Sequence, residues 1–126
     1  MPLRVESSDA APDLVVVRLA GKLIVGAESK RIESLVKDLL GQQKKRFVFD
    51  LTAVSYVDST GMGSIAYCFA IVMRAGGAFR VAGADGRVRN LMKITRLDAV
   101  LEFYPTVAAA SQDFVVTRKP GEQTPW

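Results

Sequence analysis

FVFDLTAVSYVDSTGMG, residues 47–63, is the stretch whose reading decides the fold. It opens on an apolar run, Phe47-Val48-Phe49, followed by Asp50. A second apolar group, Val54 to Val57, leads into Asp58-Ser59-Thr60-Gly61. The nearly uncharged run Ser64 to Met73 comes next and is long enough for about three turns of helix. The pattern predicts a strand, a tight turn, and a polar cluster at the start of a buried helix. At such a start the free backbone N–H groups point outward and the helix dipole is positive, so an anion placed there is stabilised. A hydroxyl in that place can cap the helix, and phosphorylation can turn it into an anion.

Working outward, Leu3 to Glu6 reads as a short edge strand and the residues up to Pro12 as a polar connection. Leu14 to Leu19 is continuous and β-branched, hence a strand, which Ala20-Gly21 end. Lys22 to Val25 is a loop or a further short strand. Ile32, Leu35, Val36, Leu39 and Leu40 then recur with helical spacing. Glu33 and Lys37 form an i,i+4 pair on that helix, and Gly41 is placed to stop it. Beyond the central stretch, Gly76-Gly77 end the apolar helix and Ala78 to Ala82 is a strand. A shorter helix turns Val88, Leu91 and Met92 inward. Val100 to Tyr104 is a last short strand, and Thr106 to Asp113 a terminal helix. Three helical crossovers require parallel neighbours, while the early antiparallel strand makes the sheet mixed. The expectation is a single α/β domain, residues 1–116, with a mixed four- to five-stranded sheet and about four helices. Residues 117–126, TRKPGEQTPW, form a polar C-terminal tail.

Composition narrows the chemistry. With no histidine among 126 residues, Ser-His and Cys-His nucleophilic pairs and histidine-containing zinc sites are excluded. The single cysteine, Cys68, lies in the apolar run, which rules out an intramolecular disulfide and thiolate metal clusters. These absences weigh against an enzyme, and no cofactor or metal is expected. The net charge of +4 is scattered, and its one run of three, Lys44-Lys45-Arg46, sits in a helix-to-strand connection without interleaved aromatics. An ordinary solvated surface, with no direct nucleic-acid contact, follows. MPLRVESSDAAPD carries no basic-then-apolar signal pattern, and no stretch reaches the ~18 apolar residues of a membrane span. A cytoplasmic location is the expectation.

Three readings compete for Asp58-Ser59-Thr60-Gly61. The plainest is a helix cap contributing about 1 kcal/mol. Against it, three polar residues and two glycines, Gly61 and Gly63, cluster where one cap would suffice. A second is a small nucleotide-binding enzyme. Gly61-Met62-Gly63-Ser64-Ile65-Ala66 satisfies the dinucleotide pattern, with Asp85 about two dozen residues on. Only 63 residues follow Gly63, however, little for a substrate site.

The third reading is a resemblance. D-S-T-G-x-G between an apolar strand and an apolar helix, with R-x-G-G before the next strand, resembles the STAS domain of bacterial anti-sigma factor antagonists. Leu19 to Leu23, Phe49-Asp50-Leu51, Val54 to Ser59, Arg87 to Leu91 and Thr95-Arg96-Leu97 extend the likeness over most of the chain. The resemblance implies the STAS fold and a regulator that binds an anti-sigma factor with a GHKL-type serine kinase domain. Phosphorylation at the position of Ser59 (Thr60 second) switches such an antagonist off, and a PP2C-type phosphatase restores it. Asp58, Ser59, Thr60, Gly61, Met62 and Gly63 would then form the partner-binding edge. A phosphate there adds about −1.5 to −2 charge, enough to oppose docking. The family's acidic G-E-L-D-like turn is replaced here by Gly21-Lys22-Leu23-Ile24. An alternative within the same fold is a STAS subunit of a larger assembly, stressosome-like or lipid-transporting, without phospho-switching.

Overall fold

A computed structural model describes residues 3–112 and 114. Five strands, β1 (Arg4–Ala11), β2 (Leu14–Leu23), β3 (Arg46–Val57), β4 (Ala78–Ala82) and β5 (Glu102–Tyr104), form one sheet in sequential order. β1 runs antiparallel to β2 and the remaining pairs are parallel. Helices α1 (Ala27–Gly41), α2 (Ser59–Arg74) and α3 (Gly86–Ile94) connect the parallel strands, and α4 (Val107–Ser111) follows β5. The expected mixed sheet with four helices is what forms.

Alternation along the strands sorts the core into two layers. Val15, Val17 and Leu19 of β2 and Phe47 and Phe49 of β3 face Ile32 and Val36 of α1, Ile65, Phe69 and Val72 of α2, and Met92 of α3. Leu14, Val16, Val48 and Ala82 point the other way, against Ala110 and Phe114. β2 and β3, buried on both faces over much of their length, therefore read as unbroken apolar runs.

Several boundaries differ from the expectation, those of β1, β2 and β3 because of strand pairing. β1 runs through the stretch expected to be a polar connection: Glu6, Ser7, Ser8 and Asp9 are exposed yet pair with β2. An edge strand with one face in water tolerates such polarity. β3 is one twelve-residue strand where two apolar groups and a turn were expected. Register shifts opposite Arg18–Ala20 and Gly21–Lys22 carry it past Asp50 and Thr52 without ending it. β2 extends to Leu23, because Lys22 and Leu23 pair with Tyr56 and Val57. Gly41 is the last residue of α1, and the left-handed position beyond it falls on Gln43 at φ 69°. The last strand shrinks to Glu102–Tyr104 behind a 3-10 turn at Leu97–Ala99. α4 covers Val107–Ser111; the expected end of that helix at Asp113 and the tail at 117–126 lie outside the described residues.

The basic run is structural. Lys44 donates to the Pro12 carbonyl at 2.8 Å, Lys45 to the Ala75 carbonyl at 2.8 Å, and Arg46 pairs with Asp13. These bonds bind the start of β3 to the β1–β2 turn and the end of α2.

Candidate functional site at the start of α2

β3 delivers its last residue, Val57, beside Leu23 of β2, and the Asp58 N–H donates to the Leu23 carbonyl at 3.1 Å. Asp58 is extended (φ −99°, ψ −178°) and is the N-cap of α2. One carboxylate oxygen, Oδ1, accepts the Gly61 N–H at 2.7 Å; the other, Oδ2, accepts the Val25 N–H at 3.0 Å. The first bond closes the helix start, and the second ties it to the β2–α1 loop. The N–H bonds from Gly61 and then Val25 favour the charged form and hold the carboxyl below the ordinary aspartate range. With both oxygens engaged, Asp58 orients the loop and is a poor proton acceptor.

That arrangement leaves the two hydroxyls unemployed. Ser59 and Thr60 are the first helical residues, both are exposed, and neither hydroxyl makes a hydrogen bond among the described residues. Of the remaining residues expected at the contact edge, Gly63 is exposed, but Gly61 and Met62 are not. Met62 is 2% exposed and belongs to the main core. Gly61 is pressed against β2: a Cβ there would lie 2.2 Å from the Leu23 carbonyl oxygen. The edge is thus made of Asp58, Ser59, Thr60 and Gly63, and the expectation for Gly61 and Met62 is corrected. A helix packed this closely on its strand turns its third and fourth residues inward.

The dinucleotide reading meets the same geometry. Gly61 and Gly63 lie inside the first turns of a continuous helix, with no glycine loop ahead of it to cradle a pyrophosphate. Strand order increases steadily from β1 to β5, so the sheet has no reversal point at which a nucleotide crevice opens.

Three features of the surroundings were not legible in the sequence. Ile24 and Val25, 39% and 68% exposed, lie on a loop tied to the start of α2 because Asp58 holds the Val25 backbone. Glu33, expected to pair with Lys37 and attracted to it, also accepts the buried Ser64 hydroxyl at 2.8 Å and joins α1 to α2; Lys37 lies over the Tyr67 ring at 5.2 Å. Asp50, 6% exposed, bonds Arg18 at 2.9 Å and the Thr52 N–H and hydroxyl at 3.0 and 2.6 Å. Burial pushes Asp50 up, but the bonds from Thr52 and Arg18 outweigh it and hold the carboxyl below its usual range. Pairing of β2 with β3 brings Arg18 opposite Asp50, while Thr52 is local to the same strand. Cys68 is buried as expected, and burial pushes its thiol up to about 12.

The start of α2 offers two exposed hydroxyls and one exposed glycine, with the exposed Ile24 and Val25 on the loop tied to it. The chain belongs to the STAS domain family, whose model matches residues 6–110. In sequence it is 26% identical over 76 residues to a provisionally named anti-sigma factor antagonist of Thermotoga neapolitana, covering 60% of this chain and 67% of that one. In structure it is similar to a provisionally named anti-sigma factor antagonist from Thermotoga maritima (TM-score 0.75, 21% identity, 93% and 94% of the two chains). It is also similar to the Bacillus cell fate determinant SpoIIAA in its phosphorylated form (TM-score 0.67, 16% identity, 81% and 92%). A sulfate transporter family protein from Wolinella succinogenes shares the architecture (TM-score 0.72, 15% identity, 82% and 85%). At these identities the structural likenesses establish the fold: a single-domain, SpoIIAA-like STAS fold. Among the described residues no helix is long and apolar enough to cross a membrane.

Proposed function

We propose that this STAS domain is an anti-sigma factor antagonist whose docking is controlled by phosphorylation of Ser59, with Thr60 the second choice. Its partner is an anti-sigma factor with a GHKL-type serine kinase domain, and a PP2C-type phosphatase reverses the modification. The ATP belongs to the partner, so this chain is a substrate of the kinase and not itself an enzyme; the setting is cytoplasmic. One observation carries the reading: Asp58 does all the capping of α2, which leaves the Ser59 hydroxyl exposed and without structural duty. A phosphate there adds about −1.5 to −2 charge beside the pinned Asp58 carboxylate. On the free surface water screens that charge. In a docked interface it is desolvated next to a like charge, and a few kcal/mol of opposition lowers affinity a hundredfold or more.

Incubation with ATP and the GHKL anti-sigma kinases of the same genome, followed by phosphate mapping, tests the proposal. Phosphate on Ser59, abolished in Ser59→Ala, is expected, together with a loss of kinase binding in Ser59→Asp of about a hundredfold. Ser59→Asp binding as tightly as wild type refutes the charge mechanism. The structural likeness to a sulfate transporter family protein favours a second reading, a STAS subunit of a larger assembly that Ser59 does not switch. No phosphate with any such kinase, combined with stable co-purification in a complex, selects it.

A further inference from the structure

We propose that the crevice at the carboxyl ends of β4 and β5, beside Thr52 in the middle of β3, binds a small ligand through its carboxylate or phosphate group, and that Arg89 of α3 is the receptor. The open crevice has a volume of about 500 Å³ and is lined by Thr52, Gly83, Asp85, Arg89, Phe103 and Tyr104 among others. Gly83, at φ 74°, forms part of its wall: a Cβ there would lie 2.0 Å from the Thr52 hydroxyl oxygen, so only glycine lets the loop after β4 pass so close to β3.

Arg89 is the odd one among its kind. Three arginines are half-buried among the described residues: Arg46, Arg80 and Arg89. Arg46 pairs with Asp13, and Arg80 with Glu102 at 3.2 Å and the Ala110 carbonyl at 3.0 Å. Arg89 has neither a carboxylate nor a carbonyl acceptor among the described residues, and its Nε is buried without a partner. The guanidinium stacks on the Phe103 ring, its carbon 3.8 Å from the ring centroid. Stacking fixes the plane of the fork, and a fixed, unanswered fork suits a bidentate oxyanion. An unsatisfied buried donor is unfavourable, which the other two half-buried arginines avoid.

The neighbouring helix end agrees. Asp85 is the N-cap of α3, yet its side chain accepts none of the helix N–H groups and is exposed at the rim. The N–H groups of Gly86, Arg87 and Val88 therefore lack a side-chain cap, and an oxyanion held by Arg89 would also meet the positive end of the helix. Asp85 at the rim opposes any anion, so its removal should tighten binding.

The inference is independent of Ser59. Amide shifts of the labelled full chain, read while titrating inorganic phosphate and, separately, acetate, test it. Saturable shifts at Gly86, Arg87 and Val88 in the millimolar range are expected, weakened about tenfold in Arg89→Met and strengthened in Asp85→Asn. The stronger of the two titrations names the anion. If Arg89→Met does not fold, Arg89→Lys, which keeps the charge and loses the fork, should still weaken binding severalfold. No saturable shift, an undiminished response without the fork, or shifts spread over the surface cations (an adventitious ion only) overturns the proposal.

Discussion

Alanine at Gly61 and alanine at Gly63 should move stability in opposite directions, although the two glycines lie a residue apart in the same helix. At Gly61 a Cβ would stand 2.2 Å from the Leu23 carbonyl oxygen, 2.8 Å from its Cγ and 2.9 Å from its carbonyl carbon. The obstruction is backbone, and that carbonyl also accepts the Asp58 N–H at 3.1 Å. Relief requires the start of α2 to lift from β2, which breaks the Asp58 bonds to Gly61 and Val25. Overpacking of roughly 1–3 kcal/mol and the loss of a cap near 1 kcal/mol give about 3 kcal/mol of destabilisation. For a chain of 126 residues this lowers the melting temperature by roughly 10 °C. Gly63 has nothing within 4 Å of its would-be Cβ and sits in the helix, exposed. Alanine there should add about 0.5–1 kcal/mol, or roughly 2–4 °C. Urea unfolding with unchanged m-values, paired with thermal melts, measures both. A Gly61→Ala protein that melts with wild type, or a Gly63→Ala protein that melts well below it, refutes the packing argument. If a partner backbone docks on Gly63, the stabilised Gly63→Ala protein should bind that partner less tightly.

Asp58→Ala should cost about 1–2 kcal/mol at neutral pH by removing the cap. Because the folded pKa of Asp58 lies below its unfolded value of about 3.9, this contribution is complete above that pH and fades as pH falls through the folded pKa. The gap between wild type and Asp58→Ala in pH-dependent denaturation should therefore narrow in acid, and a gap that widens contradicts the assignment. Glu33→Ala strands the buried Ser64 hydroxyl and should destabilise by about 1–3 kcal/mol, measured by urea unfolding, whereas Lys37→Ala should cost far less. Cys68, buried with its thiol pushed up to about 12, should resist a thiol reagent at pH 8 and react at the rate of unfolding. Fast native-state labelling would show that α2 opens locally.

The identity of the elements was legible because local pattern and environment agree. Leu14 to Leu19 and Phe47 to Phe49 are unbroken apolar runs because those strands are covered on both faces, and the i, i+3, i+4 recurrence from Ile32 to Leu40 is the face α1 turns to the sheet. The same polar cluster marked the start of α2 and the hydroxyl edge. Sequence alone could not extend β1 through Glu6 to Asp9, since edge pairing satisfies the backbone whatever the side chains are. Nor could it divide the labour at the site. Whether Asp58 or Ser59 caps α2, and whether Gly61 and Met62 face a partner or β2, depend on how close the helix lies to Leu23, a distance set by packing between strands far apart in the chain. Periodicity thus determined which residues form helices and strands and which end of α2 is exposed. Only the tertiary structure decided which groups there are consumed in holding the fold and which remain free to meet another molecule, because hydrogen bonds and close contacts are settled by neighbours that sequence spacing does not reveal.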